Sequence, residues 1–241
     1  MVVEKKQNTS ASPLARALAW GVHAFTASGA VLGLLALQAA EARDWHGVML
    51  WLFAALVVDA VDGPLARALR VKTVLPGFDG NILDLVVDYL TYVIVPVVML
   101  CQGDFLPDGW RLTAAAAVLM SSLYHYGNVD IKTPDGYFEG FPAFWNVVVF
   151  YFYCFAPSRT VALGVVLAFC LLTLVPVKCV HPFRVKKFRG LTAPLTVVWA
   201  VLVGVALVRG QASPPWLAWV CLAPVGYLTL RSEERRVGKE C

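Results

Sequence analysis

Charge is the scarcest thing in this sequence: Asp, Glu, Lys and Arg make up 15% of its 241 residues, against about 25% in ordinary soluble domains. Four histidines and six cysteines are spread without a CxxC pair, so neither a cysteine-rich zinc site nor a dithiol redox motif is expected. Cys101, Cys154, Cys170, Cys179 and Cys221 lie in or beside apolar runs, where free cysteine behaves as a small buried hydrophobe. Polar linkers, tandem repeats and low-complexity tracts are missing too, which leaves no boundary at which to divide the chain. The opening MVVEKKQNTSASPLARALAWGVHAF has no small-residue cleavage site behind a short apolar core, so no removed signal peptide is expected. Nothing in the chain points to nucleic acid as a partner.

What the chain has in abundance is apolar surface. Hydrophobic residues make up 59% of it, with a mean hydropathy of +0.68, the composition of a polytopic membrane protein. A transmembrane helix needs about 17 to 25 apolar residues to cross roughly 30 Å of hydrocarbon. Runs of that kind fall near 17–40, 47–69, 80–101, 112–128, 143–158, 160–180, 191–208 and 213–230. The expected fold is therefore all-α, a bundle of about eight transmembrane helices. A β-barrel would need alternating segments of about ten residues, whereas AVLGLLALQAA and VALGVVLAFCLLTLV are continuously apolar. Small-residue faces on such helices would permit a homodimer.

Basic residues in short loops stay on the cytoplasmic side. With the N-terminus inside, Lys5, Lys6, Arg16, Arg67, Arg70, Lys72, Lys132, Lys178, Arg184, Lys186, Lys187 and Arg189 fall inside and only Arg43, Arg111, Arg159 and Arg209 outside. Twelve against four favours that orientation and an even number of spans. The segment RSEERRVGKEC at 231–241 changes composition abruptly and is read as a non-native tail, leaving 1–230 as one membrane domain. Excluding its four basic and three acidic residues lowers the formal charge from +4 to +3.

Two apolar stretches carry acids. VVDAVDGPLARAL (57–69) holds Asp59 and Asp62, and GNILDLVVDYL (80–90) holds Asp84 and Asp88. Steps of three and four put Asp59, Asp62, Gly63, Ala66 and Arg70 on one face of the second span, and Gly80, Asp84 and Asp88 on one face of the third. A connection of about ten residues with Arg70, Lys72, Pro76 and Gly77 suits a turn that lets those faces meet. Each carboxylate near mid-membrane costs about 2.5 to 3.5 kcal/mol, so four would cost roughly 10 unless neutralised or hydrated. Clustered carboxylate oxygens suit Mg²⁺ or Mn²⁺, and two such ions would balance four acids. Internal ion pairs or a proton path remain open from the residues alone. Gly63 and Gly80 leave room for a phosphate or a second backbone to approach.

DAVDGPLAR followed by GNILDLVVD resembles the signature of the CDP-alcohol phosphotransferases, D-x2-D-G-x2-A-R, a spacer, then G-x3-D-x3-D. Every signature position is filled, with twelve residues between Arg67 and Gly80. HAFTASGAVLGLLAL, DLVVDYLTYVIVPV, SSLYHYGNVDIKTPDGYFEGFPAFWNVVVFY and HPFRVKKFR are similar to the bacterial branch of that family that makes phosphatidylcholine, so the resemblance extends over most of the chain. It implies a six-helix core, to which the expected bundle adds two helices, in a bacterial inner membrane with the active site facing the cytoplasm. It also implies transfer of the phosphatidyl group of CDP-diacylglycerol to choline with loss of CMP, with Asp59, Asp62, Asp84 and Asp88 as ligands of two divalent ions and Asp88 as general base. Gly63 and Ala66 would make room for the cytidine diphosphate, Gly80 for its phosphates, and Arg67 would grip phosphate or hold a carboxylate.

Other residues are candidates on chemistry alone. Thr26 and Ser28 could touch the nucleotide, although membrane hydroxyls also bond their own helix. Lys178, His181 and Arg184 in VKCVHPFR could bind pyrophosphate or anionic lipid. His125 and His181 are read as polar loop or cap residues rather than ligands. A quaternary ammonium has no N–H, so its recognition needs aromatic faces and negative charge. YHYGNVDIKTPDGYFEGFPAFW supplies Tyr124, Tyr126, Tyr137, Phe138, Phe141 and Trp145 beside Asp130, Asp135 and Glu139, with Tyr124, Tyr137, Phe141 and Trp145 the choline candidates. Serine, glycerol 3-phosphate or an inositol phosphate is the alternative acceptor, and a cation or proton transporter the alternative of another class. Transport should need polar groups in both halves of the membrane, whereas this chain gathers them in one.

Overall fold

Residues 11–128, 137–175, 178–180, 189–210, 219, 220 and 222 are described by the computed structural model, with the backbone alone for 137–139, 178–180 and 189–193. Helix α1 (Pro13–Glu41) opens on Ser12, whose Oγ accepts the Ala15 N–H at 3.2 Å, and on a proline suited to the first turn. Helix α2 (Trp45–Ala68) opens on Asp44, which accepts the Gly47 N–H at 2.9 Å. Pro64 lies inside α2, leaving the Ala60 carbonyl without its helical donor beside the signature acids. Arg70 takes a left-handed φ of 50° between α2 and the single turn α3 (Val71–Val74), which reverses the chain. Asp79 then caps α4 (Gly80–Asp88) by accepting the Asn81 N–H at 2.9 Å.

The third span is continuous from Gly80 to Gln102 but not uniformly α-helical. Tyr89–Ile94 is a π-helical segment between α4 and α5 (Val95–Gln102). Pro96 follows it and has no N–H for the Tyr92 carbonyl four residues back. Wide turns of this kind are rare and often occur at functional sites.

The remaining helices are α6 (Arg111–Gly127), α7 (Trp145–Phe155), α8 (Arg159–Leu174) and α9 (Arg189–Arg209). Helix α1 lies along α2 and also touches α4, while α6 packs on α8 and α5 against α6 and α7. The main core takes Val93, Val95, Met99 and Leu100 from the third span, with Val118 of α6, Trp145 and Val149 of α7 and Val166 of α8, all fully buried. Gly29 and Gly33 let α1 approach the third span closely: a Cβ on Gly29 would stand 2.6 Å from Val87, and one on Gly33 2.7 Å from Leu90.

The bundle is helical as expected, with one short strand pair beside it. Strand β1 (Tyr137–Glu139) pairs antiparallel with β2 (Lys178–Val180), with Tyr137 opposite Val180 and Glu139 opposite Lys178. Three-residue strands separated by two apolar helices leave no alternating pattern to read. Gly140 follows β1 at a φ of +83°, where a Cβ would lie 2.5 Å from the Thr173 carbonyl, so only glycine can dock this turn on the end of α8.

Seven of the eight expected apolar runs are helical in the described residues. Three, Pro13–Glu41, Trp45–Ala68 and Gly80–Gln102, are long and apolar enough to cross a membrane. Helices α7 and α8 are shorter apolar segments, of 11 and 16 residues. The eighth run at 213–230 lies almost entirely outside the described residues, and so does 231–241.

Candidate active site

The reversal at α3 brings α4 back beside α2, so that Asp59 faces Asp84 and Asp88. Asp59, Asp84 and Asp88 each present a carboxylate oxygen, and these three oxygens lie within 4.8 Å of one another. All three side chains are half-buried. Asp59 and Asp88 lie within hydrogen-bonding reach of each other. At an effective dielectric of about 20, two charges 4 Å apart repel by about 4 kcal/mol. An all-oxygen donor set of this kind suits a hard divalent cation.

Asp62 stands apart from that trio. It is buried, and its carboxylate faces Thr26, the Gly63 backbone N–H and Arg67. The Thr26 hydroxyl also donates to the Val22 carbonyl at 3.3 Å. Arg67 folds back over α2, its Nη1 3.3 Å from the position a Cβ on Gly63 would occupy. Ala66 packs at the corner formed by Ala19, Val22, Val71 and Leu75, where α1, α2 and α3 meet. Ser28 donates to the Phe25 carbonyl at 2.6 Å, a bond within its own helix.

Gly80 lies against His23 of α1, whose Cε1 would be 2.8 Å from an added Cβ. His23 is buried, its ring tilted against Phe78 at 4.4 Å, and its Nε2 has no hydrogen-bond partner among the described residues. An isolated histidine on an apolar helix carries no spacing signal, so nothing in the sequence singles His23 out.

Tyr92 continues the four-residue series of Asp84 and Asp88. It is 3% exposed, and its hydroxyl donates to Asp59 Oδ2 at 2.5 Å. Tyr126 of α6 lies within electrostatic reach of Asp88, Asp59 and Asp84, with its ring edge-on to Tyr89 at 5.6 Å. Among the described residues, Tyr92 of the third span and Tyr126 of α6 are thus aromatic residues placed beside the acids.

The choline candidates are dispersed. Tyr124 is 51% exposed, on a different face of α6 from Tyr126. Trp145 is fully buried and donates its indole N–H to Ser122 at 2.9 Å, with Phe141 edge-on at 5.3 Å and Phe141 in turn stacked on Phe169 at 4.5 Å. Tyr137 and Lys178 sit on the paired strands β1 and β2, so the aromatic stretch and the basic stretch are joined. Phe144 links this stretch to the acids, its ring edge-on to Tyr92 at 5.8 Å. Arg184, His181, Asp130 and Asp135 lie outside the described residues. His125 is buried in the last turn of α6.

Comparison with known proteins agrees with the arrangement of the signature. The sequence model of a family described as CDP-alcohol phosphatidyltransferase matches residues 21–179. A Pseudomonas aeruginosa protein named phosphatidylcholine synthase is 46% identical over 220 residues, covering 91% of this chain and 92% of its own length. The Rhizobium meliloti protein of the same name is 39% identical over 216 residues, 90% of each chain. The Legionella pneumophila one is 45% identical over 168 residues, 69% of this chain and 66% of its own. Matched through both halves of its aspartate signature and along most of its length, the chain belongs to the CDP-alcohol phosphatidyltransferase family.

Proposed function

We propose that this chain transfers the phosphatidyl group of CDP-diacylglycerol to choline, making phosphatidylcholine and releasing CMP in a bacterial inner membrane. The observation that carries the proposal is the convergence of Asp59, Asp84 and Asp88 from two successive spans of a predominantly apolar bundle. Its relatives named phosphatidylcholine synthase, alike over nine-tenths of the chain, support the choice of acceptor.

The oxygen-only donor set fits Mg²⁺ or Mn²⁺, with Asp59, Asp84, Asp88 and, from the signature, Asp62 as the residues that would hold two ions. When bound, such ions supply positive charge that offsets the diphosphate and the carboxylates together. Asp88 takes the proton of the choline hydroxyl as its oxygen attacks the phosphorus that bears the diacylglycerol. The bond from that phosphorus to the bridging oxygen breaks, and CMP leaves with the electron pair. Arg67 pairs with phosphate in this scheme, exchanging its place over Gly63 and Asp62 for a forked contact that lysine would not reproduce. Thr26, Ser28, Gly63, Ala66 and Gly80 line the nucleotide side. Lys178 and Arg184 bring positive charge to the pyrophosphate, and of the four aromatic candidates Tyr137 and Phe141 supply faces for the ammonium, since Trp145 is sealed in the core and Tyr124 is exposed on another face of α6. One membrane domain over 1–230 holds the site, with the N-terminus and the active site on the cytoplasmic side.

The test is to supply purified protein with CDP-diacylglycerol and Mn²⁺, and then with choline, serine, glycerol 3-phosphate or inositol phosphate separately, following CMP. Choline alone should support rapid release. Product from another alcohol and none from choline refutes the acceptor while leaving the phosphatidyl transfer intact.

A further inference from the structure

Tyr92 is a buried phenol bonded directly to a signature acid. We infer that Tyr92 is a positioning residue that fixes the Asp59 carboxylate in the orientation needed to share a divalent cation with Asp84 and Asp88. The inference rests on the metal-dependent reading above and extends it to a residue outside the signature.

The hydrogen bond and its chemistry carry it first. The hydroxyl of Tyr92 donates to Asp59 Oδ2 at 2.5 Å, so the carboxylate cannot turn about its Cβ–Cγ bond without breaking a bond in an apolar interior. A phenol is also a neutral donor: it orients the carboxylate without cancelling its charge, as an arginine there would, and the charge stays available to a cation. Donors that orient metal-ligating groups typically account for about 10- to 100-fold in metal affinity.

The placement of Tyr92 is likewise built into the fold. It lies within the π-helical segment Tyr89–Ile94, immediately after the helix that presents Asp84 and Asp88. Its ring is held edge-on by Phe144 at the start of α7, and the residue is buried at 3% exposure. The backbone that aims two acids at the site therefore also aims the donor for the third, which comes from α2.

Mn²⁺ binding to the full chain in detergent, measured without substrate by the loss of the free-ion electron paramagnetic resonance signal, tests this directly. Tyr92→Phe keeps the ring and its contact with Phe144 and removes only the hydroxyl. It should weaken Mn²⁺ about 10- to 100-fold and raise the Mn²⁺ concentration for half-maximal CMP release by a similar factor, while saturating Mn²⁺ recovers most of the turnover. Phe144→Leu, which loosens the ring but keeps the hydroxyl, should weaken Mn²⁺ several-fold less than Tyr92→Phe does. Unchanged Mn²⁺ affinity in Tyr92→Phe, or an equal loss in Phe144→Leu, overturns the role of the hydroxyl. The metal reading fails separately, and the inference with it, if the parent chain binds no Mn²⁺ or Asp59→Asn binds it undiminished.

Discussion

Two groups of aspartates stand at opposite ends of the third span, and they are built in opposite ways. Beyond Gln102, Asp104 and Asp108 are 83% and 78% exposed and meet arginines: Arg111 at 3.2 and 2.6 Å, with Arg159 3.2 Å from Asp104. At the Gly80 end, Asp59 meets a phenol and a second carboxylate, and the arginine of the signature is turned toward Asp62. Exposed ion pairs are screened by water and typically contribute about 0 to 1 kcal/mol. Half-buried carboxylates held together cost energy until a cation joins them. The first group tidies a loop junction, whereas the second gathers three carboxylate oxygens within 4.8 Å of one another, a donor set that could hold a cation.

That contrast can be broken or sharpened by substitution. The largest effect belongs to Asp88→Asn, which keeps the shape and removes the base. CMP release should fall by about 10² to 10⁴ while CDP-diacylglycerol still binds, and near-normal release would remove Asp88 from the chemistry. Next comes the close approach of α1 to the third span: Gly29→Ala drives a methyl into the branched side chain of Val87. It should cost about 1 to 3 kcal/mol, read as a lower melting temperature in detergent together with weaker Mn²⁺ binding. Arg67→Lys should raise KM for CDP-diacylglycerol about tenfold through loss of a charge-assisted bond, with a smaller change in kcat. At the opposite end, Asp104→Ala removes two exposed pairs and should shift stability by less than about 1 kcal/mol with CMP release unaltered. A large loss of activity there would erase the distinction between the two groups.

The acid cluster was legible because helical spacing converts directly into faces. Asp59 and Asp62 on one span, and Asp84 and Asp88 on the next, needed only a short reversal to meet, and Pro76 and Gly77 marked it. The separate environment of Asp62 was not legible, because it depends on Thr26 from α1 and on the direction Arg67 folds, which spacing does not specify. The aromatic stretch was read as one recognition surface, yet Trp145 is in the core bonded to Ser122 while Tyr124 faces outward. Both are natural fates for aromatic residues in a membrane protein, and composition cannot separate them. The β1–β2 pairing joins stretches some forty residues apart, and its strands are too short to leave a periodic trace. Tyr92 was within reach of pattern reading, since it follows Asp88 by four, but the hydroxyl would have been assigned to the core without the Asp59 contact. The apolar runs located the helices well. Their number as spans was less accessible, since α7 and α8 are shorter than the runs that contain them.

The π-helical segment has a consequence for how this span can change. A π-turn holds about one residue more than an α-turn, so deleting one residue within Tyr89–Ile94 should close the segment to ordinary α-helix while leaving the stretches on either side near their present phase. Asp84 and Asp88 would then still face Asp59 while Val95 to Gln102 stayed seated in the core. The same deletion placed in the regular turns of α5 has no wide turn to absorb it and would swing the acids about 100° around the axis.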